Sequence, residues 1–296
     1  MNPSDSDYEE LRKRAAVLVQ ALPYITRYAG KTIVVKYGGN AMLDNDLKAA
    51  VTQDIVLMRA VGFRPILVHG GGPEISELMR RVGKQPEFVG GLRVTDEDTV
   101  DLVEMVLVGK VNTSIVALIN RQGGKAVGLS GKDARLIVAS KRHDASIDLG
   151  YVGDVEQING GVLDSLAEAG YIPVVSSVGA DLDGQSLNIN ADSVAGEIAA
   201  AVGATKLIML TDVAGVLANS KDPESLLSEV SVDQARELIR TGVADRGMIP
   251  KLEACITAVE AGVDRAHIID GRVPHSVLME VLTDHGVGTM VMANPE

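Results

Sequence analysis

A lysine stands where the first apolar segment of the chain meets a pair of glycines. Lys36 ends the β-branched run Thr32–Lys36, and Gly38 and Gly39 follow it two residues later. A lysine is unusual in an apolar core, whereas at the carboxyl end of a parallel strand its ammonium group would point toward a ligand. A glycine loop at the same place exposes backbone N–H groups that favour phosphate. The combination predicts an anion site.

A second glycine loop has the same arrangement. The apolar run Ile66–His69 ends at Gly70, Gly71 and Gly72, and Pro73, a favoured first helical residue, comes next. The positive end of a helix dipole would lie at the mouth of this loop. Neither loop matches GxGxxG, and GxxxxGK[ST] does not occur in the chain, so dinucleotide and Walker-type sites are disfavoured.

Three more polar clusters lie next to predicted elements. Asn188, Asn190 and Asp192 precede a helix rich in small residues, and helix capping accounts for one of the three. Lys251 follows Pro250 at the start of another helix, where a cation opposes the dipole and therefore indicates an anionic partner. The end of a further strand carries residues that either line a nucleotide pocket or form an ordinary βα turn: Thr211, Asp212 and Gly215.

Charge and composition restrict the class of function. The 296 residues include 28 basic and 40 acidic ones, a net charge of −12, which argues against general nucleic-acid or anionic-membrane binding. The five histidines are dispersed, without HExxH or a Cys/His cluster, so we expect no dedicated metal site. The single cysteine, Cys255, fits a reducing cytoplasm. No apolar run approaches the ~18 residues of a membrane span.

From residue 31 onward, strand, glycine loop and helix alternate, which predicts an α/β protein with a mostly parallel sheet. A core of Val, Leu, Ile, Ala and Met with 3% aromatic residues suits a parallel sheet covered by helices. The predicted strands are Thr32–Lys36, Ile66–His69, Ala126–Leu129, Leu136–Val138, Pro173–Ser177, Lys206–Thr211 and Ala266–Ile269. The predicted helices include 44–61, 96–122, 161–169, 191–202, 231–241 and 251–262.

Residues 1–30 predict a separate amphipathic helix. Apolar residues from Leu11 to Ala29 recur at steps of three and four, and Pro23 inside the run predicts a kink. The helix either packs on its own subunit or reaches another subunit, and the sequence leaves both open.

Taken together, these motifs resemble the N-acetyl-L-glutamate kinase branch of the amino-acid kinase family. The matching segments occur in the family's order over residues 31–292 and are together highly specific: VKYGGNAM (35–42), VHGGGPEI (68–75), GLRVTD (91–96), GLSGKDA (128–134), PVVSSVG (173–179), NINAD (188–192), LTDVAGVL (210–217) and GMIPK (247–251).

The resemblance implies an open αβα sandwich of two lobes. Residues 1–30 would form an oligomerising kinked helix, residues 31–203 the amino-acid-binding and dimerising lobe, and residues 204–296 the ATP-binding lobe. The implied reaction moves the γ-phosphoryl group of ATP to the side-chain carboxylate of N-acetyl-L-glutamate in arginine synthesis. Mg²⁺ would arrive with the nucleotide, and the enzyme would be cytoplasmic.

The resemblance also assigns roles to residues. Lys36 and Lys251 would hold the phosphoryl group from two sides and Asp192 would orient both ammonium groups. Phosphate binding is assigned to Gly39, Gly71 and Gly72. Substrate binding is assigned to Gly71, Gly72, Arg93, Asn188 and Asn190, and Arg93 would bind the α-carboxylate. Nucleotide binding is assigned to Thr211, Asp212, Gly215, Gly247, Met248 and Lys251.

Two residues depart from the family's pattern. Arg246 stands where relatives commonly carry glycine, which predicts a stiffer loop beside the phosphates. Glu74 stands where a neutral residue is common, so its carboxylate should point away from anionic ligands or be screened.

Other functions remain as alternatives. Carbamate and glutamate kinases share the family, and carbamate offers no α-carboxylate to Arg93. A catalytically silent amino-acid sensor would have no need of the paired lysines. A Rossmann-type dehydrogenase lacks its fingerprint.

The resemblance extends to arginine-sensitive members, in which N-terminal helices interlace three dimers into a hexamer. It implies feedback inhibition by L-arginine at an effector site near the carboxyl end, and a carboxylate there would bind the guanidinium. The alternative is that Glu280 is a solvated helix residue and His285-Gly286 a plain helix end. The implied effector residues are Tyr24, Lys206, His267, Glu280, Gly286 and Gly288.

Overall fold

One long sheet with helices on both faces organises the chain. The structure is a computed structural model that describes residues 5–42, 44–143, 147–219, 222–245, 247–284 and 286–294. In this part of the chain the helices are α1 (Asp5–Tyr28), α2 (Asn45–Ala60), α3 (Gly72–Arg81), α4 (Glu97–Glu104), α5 (Thr113–Arg121), α6 (Gly161–Glu168), α7 (Ala191–Ala201), α8 (Val232–Arg240), α9 (Ile249–Glu260) and α10 (Ser276–Leu282). A π-helical segment, Met105–Asn112, joins α4 to α5.

The strands form a main sheet, a smaller sheet and a hairpin. They are β1 (Thr32–Tyr37), β2 (Arg64–His69), β3 (Phe88–Val89), β4 (Leu92–Arg93), β5 (Ala126–Leu129), β6 (Ile137–Lys141), β7 (Gly153–Ile158), β8 (Ile172–Ser176), β9 (Val178–Ala180), β10 (Ser186–Asn188), β11 (Lys206–Thr211), β12 (Glu229–Ser231), β13 (Arg265–Asp270) and β14 (Gly288–Met292). The main sheet has the order β12-β14-β13-β11-β1-β2-β8-β5, and each pair is parallel except β13–β14.

Each central strand is buried on both faces. In β1, Val34 packs into one hydrophobic cluster, while Ile33 and Val35 pack into the other. Alternate side chains of a strand point to opposite faces, so both faces must be covered by helices. Because β1, β2 and β11 run parallel, the segments that follow them emerge at the same edge of the sheet.

The strand predictions are confirmed for all seven segments, with shifts of at most two residues at their ends except in β6, which ends three residues later than predicted. Two corrections concern position: β1 continues one residue beyond Lys36, and β6 lies in the small sheet β10-β9-β6-β7. The pattern missed the short strands β3, β4, β7, β9, β10, β12 and β14 and the helix α10. Most of these are too short to show a period.

The helical prediction over 96–122 is confirmed by one continuous stretch, in which polar residues such as Lys110 and Asn112 interrupt the apolar runs. Glu97–Arg121 is a continuous helical stretch that is long and apolar enough, by length and composition, to cross a membrane. Most of its buried apolar side chains, among them Val103, Leu107 and Ile119, belong to the core cluster that also contains β1 residues. A core helix that packs on a sheet has the same composition, so the match is weak evidence for a membrane span.

Helix α1 leaves most of its length uncovered. Residues 8–20 are exposed, and Leu11, Leu18 and Leu22 keep 53%, 72% and 57% of their surface. Near the end of the helix, Tyr28 is buried and its ring meets Phe63 edge to face at 5.9 Å. Among the described residues, packing of α1 on the rest of the chain therefore involves only its last turns, and contact with a second subunit stays a prediction. The kink at Pro23 stays a prediction.

Helices α7 and α9 pack with their backbones in close contact, and this predicts an effect on stability. A Cβ at Gly196 would stand 2.7 Å from the carbonyl oxygen of Ala254 and 3.0 Å from its Cα. Gly196→Ala should therefore lower the free energy of unfolding by roughly 1–3 kcal/mol. Urea unfolding measures it, with Gly109→Ala as the matched control because nothing lies within 4 Å of a Cβ there. Equal midpoints for the two variants would contradict the predicted clash.

Candidate active site

Three charged side chains from three elements meet at the carboxyl edge of the main sheet. Lys36 comes from β1, Asp192 from the first turn of α7, and Lys251 from the first turn of α9. Lys36 Nζ lies 2.7 Å from Asp192 Oδ1, and Lys251 Nζ lies 2.7 Å from Asp192 Oδ2. The side chain of Asp192 is 7% exposed. The structure thus brings together the three residues that the sequence predicted to act together.

The charge of this cluster is set by burial and by the two ammonium groups. Burial by itself would raise the pKa of Asp192, but the charges of Lys36 and Lys251 hold it below its ordinary value. The carboxylate is therefore ionised at neutral pH. Two cations and one anion leave one net positive charge in a mostly buried place, which attracts an anion.

Gly38 gives the Lys36 ammonium its space. A Cβ at this position would stand 2.8 Å from Lys36 Nζ. A side chain at position 38 would therefore displace the Lys36 ammonium, so the first glycine loop gives room to a side chain as well as exposing backbone amides. Gly39 has φ +70 and begins a short 3-10 turn, Gly39–Met42.

The second glycine loop leaves two backbone amides available. Within the described part of the chain, no protein acceptor takes the N–H of Gly71 or of Gly72. The loop opens α3, whose N-terminus adds a partial positive charge. A Cβ at Gly71 would stand 2.7 Å from Leu107 Cδ2, so packing requires glycine there.

The predicted substrate residues line one cavity of about 250 Å³. It lies between the second glycine loop, the β3–β4 hairpin and the start of α7. Its walls include Gly71, Gly72, Arg93, Asn188 and Asn190. A larger cleft of about 410 Å³ lies between the hairpin and the N-terminus of α9 and shares Asn190 with it.

Arg93 is a buried cation in the wall of the smaller cavity. It is 6% exposed, and its guanidinium donates to the Gly72 carbonyl at 2.9 Å and to Ser76 Oγ at 2.8 Å. Its Cζ lies 4.7 Å from the centre of the Phe88 ring. Burial lowers its pKa, and among the described residues no carboxylate forms an ion pair with it. A buried guanidinium that has no carboxylate partner favours the binding of an anionic ligand.

The two asparagines have partners of different kinds. Asn188 Nδ2 donates to Thr95 Oγ1 at 3.1 Å, and Asn190 Oδ1 accepts the Asp192 amide at 2.8 Å, which makes Asn190 the N-cap of α7. Asn190 therefore has a structural role next to the triad.

Glu74 is not among the residues that line this cavity. Its side chain lines a separate cavity with Tyr37 and Lys110.

The predicted nucleotide residues lie at the same edge, on the β11 side. Thr211 ends β11 beside Asp270, and the Gly271 amide donates to the Thr211 carbonyl at 2.7 Å. Gly215 has φ +155, and a Cβ there would stand 2.6 Å from Thr289 Oγ1, so packing explains this glycine.

The other predicted nucleotide residues lie in a loop and at the start of α9. Asp212 is exposed, Gly247 precedes α9, and the Met248 amide donates to Asp245. Arg246 lies outside the described residues.

The six predicted effector residues line a different cavity, of about 260 Å³, at the opposite end of β11. Its walls include Tyr24, Lys206, His267, Glu280, Gly286 and Gly288. His285 lies outside the described residues. Glu280 is 7% exposed, so the alternative of a solvated helix residue is wrong.

A connected set of charged groups forms the floor of this cavity. His267 Nδ1 donates to Glu280 Oε1 at 2.8 Å, Lys206 Nζ lies 3.2 Å from His267 Nε2, and the Val287 amide donates to Glu280 Oε2 at 3.1 Å. Burial lowers the pKa of His267 and of Lys206. Burial opposes the charge of Glu280, yet the His267 hydrogen bond and its other contacts keep its pKa below the ordinary value.

Sequence reasoning missed several residues of the first site. Ser76 and Thr95 support Arg93 and Asn188, and Gly38 makes room for Lys36. Ser76 follows Gly72 by four residues, and residues at this spacing lie on the same face of a helix, so the sequence of α3 already placed Ser76 on the side of the glycine loop. In the described part of the chain, no group of three His, Cys, Asp or Glu side chains is placed to hold a metal.

Known proteins resemble the chain over most of its length. A model of the amino acid kinase family matches residues 31–270. An acetylglutamate kinase from Symbiobacterium thermophilum is 57% identical over 285 residues, which cover 94% of this chain and 97% of that protein. An acetylglutamate kinase from Nostoc punctiforme is 55% identical over 295 residues and 98% of each chain.

Solved structures share the fold. The N-acetylglutamate synthase of Neisseria gonorrhoeae, complexed with coenzyme A and N-acetyl-glutamate, matches with a TM-score of 0.84 and 25% identity, over 95% of this chain and 64% of the synthase. The same synthase complexed with coenzyme A and L-arginine matches with a TM-score of 0.80 and 23% identity, over 95% and 65%.

The ion cluster around Asp192 predicts a pH-dependent loss of stability. At pH 7, Asp192→Asn leaves two mostly buried ammonium groups without their counter-charge, which should cost about 3–5 kcal/mol. The folded pKa of Asp192 lies below its ordinary value of 3.8, so its contribution is complete above pH 3.8 and is lost as the pH falls through the folded pKa. Urea unfolding should therefore separate variant and wild type at pH 7 and bring them together in acid. The exposed Asp183→Asn is the control, and an equal loss in both variants would contradict the prediction.

Proposed function

The chain belongs to the amino acid kinase family, and from that premise we propose that it phosphorylates the side-chain carboxylate of N-acetyl-L-glutamate with ATP. The product is an acyl phosphate, an intermediate of arginine biosynthesis. One observation carries the proposal beyond family membership. Among the described residues, the buried guanidinium of Arg93 has no carboxylate partner, and the amides of Gly71 and Gly72 have no protein acceptor. All three line a cavity that reaches the start of α7, where Asp192 joins Lys36 and Lys251.

The acceptor in this reaction needs no general base. A carboxylate with an ordinary pKa of about 4.3 is already ionised at neutral pH. The difficulty lies in bringing two anions together and in stabilising charge on the transferring group. Fixed cations and backbone N–H donors supply that stabilisation, and the site contains both.

In the proposed mechanism, Lys36 and Lys251 hold the transferring phosphoryl group from two sides. Asp192 orients both ammonium groups, because each lies 2.7 Å from one of its oxygens. The amides of Gly39, Gly71 and Gly72 donate to phosphoryl and carboxylate oxygens.

The substrate would be recognised by its own charges and polar groups. Arg93 binds the α-carboxylate, for which a planar guanidinium is suited. Asn188 and Asn190 face the acetamido group from the cavity wall. Neither carbamate, which has no α-carboxylate, nor a sensor, which needs no lysine pair, accounts for the whole arrangement.

The kinase reaction uses ATP, and we place its nucleotide along Thr211, Asp212 and Gly215 and near Gly247 and Met248. Mg²⁺ would be held by the phosphate oxygens of the nucleotide. We further propose that residues 31–203 form the amino-acid lobe and residues 204–296 the ATP lobe, in a cytoplasmic enzyme whose single cysteine is buried.

Regulation by L-arginine is the second part of the proposal. The cavity lined by Glu280, His267 and Lys206 offers a carboxylate to a guanidinium, and Tyr24 of α1 forms part of its wall. The uncovered apolar face of α1 suits contact with α1 of another dimer, which gives a hexamer built as a trimer of dimers. Arginine would then inhibit by binding one arrangement of the ring better than another.

Turnover tests the proposed activity and the lysine pair together. Trapping of the acyl phosphate with hydroxylamine should show faster ATP-dependent turnover of N-acetyl-L-glutamate than of glutamate, aspartate or carbamate.

Lys36→Ala and Lys251→Ala should each lower kcat by roughly 10²–10³, the cost of losing one transition-state donor, with smaller changes in KM. Lys141→Ala, at an exposed ion pair, is the control. Better turnover of another acid would overturn the assignment, and near wild-type kcat in a lysine variant would remove that lysine from the mechanism.

Arginine response tests the regulatory part separately. Leu18→Glu should convert a hexamer into an active dimer with little response to arginine, because it places a charge in the exposed apolar face of α1. Gln20→Glu, exposed on the same helix, should remain a hexamer. Glu280→Ala should keep kcat and raise the inhibitory arginine concentration by roughly tenfold or more. Light scattering and inhibition curves measure these effects. A dimeric wild type that is indifferent to arginine would refute regulation and leave the activity standing.

A further inference from the structure

A buried histidine lies directly before the second glycine loop and is hydrogen-bonded on both ring nitrogens. His69 is 0% exposed. Its Nδ1 lies 2.9 Å from the carbonyl oxygen of Gly70, and its Nε2 lies 3.0 Å from Asn112 Nδ2. The other hydrogen of the Asn112 amide is used as well, since Nδ2 also donates to the Val174 carbonyl at 2.9 Å.

These partners determine where the proton of the imidazole lies. A carbonyl oxygen only accepts, so Nδ1 must carry the hydrogen that is shared with Gly70. The Asn112 amide nitrogen only donates, so Nε2 must be the bare nitrogen. The ring is then neutral, which agrees with its burial, since burial lowers the pKa of His69 to about 4.

The orientation of the Gly70 carbonyl determines the orientation of the next amide. In a planar trans peptide, the C=O of Gly70 and the N–H of Gly71 point in opposite directions. A carbonyl directed at the imidazole therefore directs the Gly71 N–H away from it. Gly71 lines the substrate cavity, and among the described residues no protein acceptor takes its hydrogen.

We propose that His69 and Asn112 are positioning residues for phosphoryl transfer: the Nδ1–H of His69, held in that tautomer by Asn112, fixes the Gly70–Gly71 peptide so that the Gly71 N–H is aimed at the reacting oxygens. The inference rests on the proposed function, because it takes Gly71 as a donor in that reaction. Neither side chain lines the substrate cavity, so both would act through the loop.

Two structural features position Asn112 beside His69, next to the second glycine loop. Asn112 is the last residue of the π-helical segment, which follows α4 on the same continuous helical stretch. A Cβ at Gly128 of β5 would stand 1.9 Å from Asn112 Oδ1, so glycine is needed there for the amide to fit. Such π segments are rare and are frequent at functional sites.

Two substitutions of His69 separate positioning from mere filling of the core. His69→Asn puts an amide nitrogen where Nδ1 stands and keeps the donor to Gly70, while it gives up the bond to Asn112. His69→Gln puts its amide where Nε2 stands and keeps the bond to Asn112, while it gives up the donor to Gly70. We expect His69→Asn to keep kcat within about tenfold of wild type, the cost of one hydrogen bond.

His69→Gln should lower kcat by roughly tenfold more than His69→Asn, because misplacement of a transition-state donor costs up to about a hundredfold. KM for both substrates should change little in either variant, because the Gly71 amide acts mainly in the transition state. His143→Gln, at an exposed histidine, should match wild type. If His69→Gln is as active as His69→Asn or more so, the proposal is overturned while the kinase assignment stands.

A measurement on the wild-type protein keeps the test decisive if a variant fails to fold. Neutron diffraction from crystals of the wild-type protein should show a deuteron on His69 Nδ1 and none on Nε2. A deuteron on Nε2 would overturn the inference even if the enzyme is fully active. Conversely, absence of acetylglutamate kinase activity in the wild type would overturn the proposed function, and the tautomer would still be tested by diffraction.

Discussion

One buried carboxylate with two lysines is the interaction on which the rest of the site depends. Lys36 and Lys251 would repel each other in a mostly buried place, and Asp192 between them makes their proximity tolerable. The three residues come from β1, α7 and α9, so the ion cluster can form only when the sheet and both helices are in place. Close backbone packing at Gly196 holds α7 against α9, and the Asn190 cap fixes the start of α7, so both help to position the ion cluster.

Sequence reasoning singled out residues whose type conflicts with their local surroundings. A lysine in an apolar strand and a lysine at a helix start are both unfavourable without an anion, so residue type and position alone were enough for Lys36 and Lys251 to indicate a site. Arg93 differs, because an isolated arginine in a loop is ordinary. Only the resemblance to a family singled it out, and only the fold shows that it is buried without a carboxylate partner among the described residues.

What the sequence did not predict depends on contacts between distant segments. In the sequence Gly38 is part of a glycine loop, whereas the structure shows in addition that a Cβ there would meet the end of the Lys36 side chain. The bond from Asn112 to His69 joins residues 43 positions apart through a π-helical segment, which has no periodic signature in the chain. Strands of two or three residues, such as β3 and β10, are likewise defined by their partners and not by their own pattern.

The internal bonds of Glu280 have a consequence for sensitivity. Its carboxylate already accepts from His267 and from the Val287 amide, and the Lys206 ammonium lies 3.8 Å away. A cation that enters the cavity must therefore share or displace bonds that the protein makes with itself. Part of the attraction would be cancelled, so such a cation would be bound more weakly than by an unpaired carboxylate. If the proposed regulation holds, this internal competition would raise the concentration at which the cavity fills, and Glu280, His267 and Lys206 together would set that concentration.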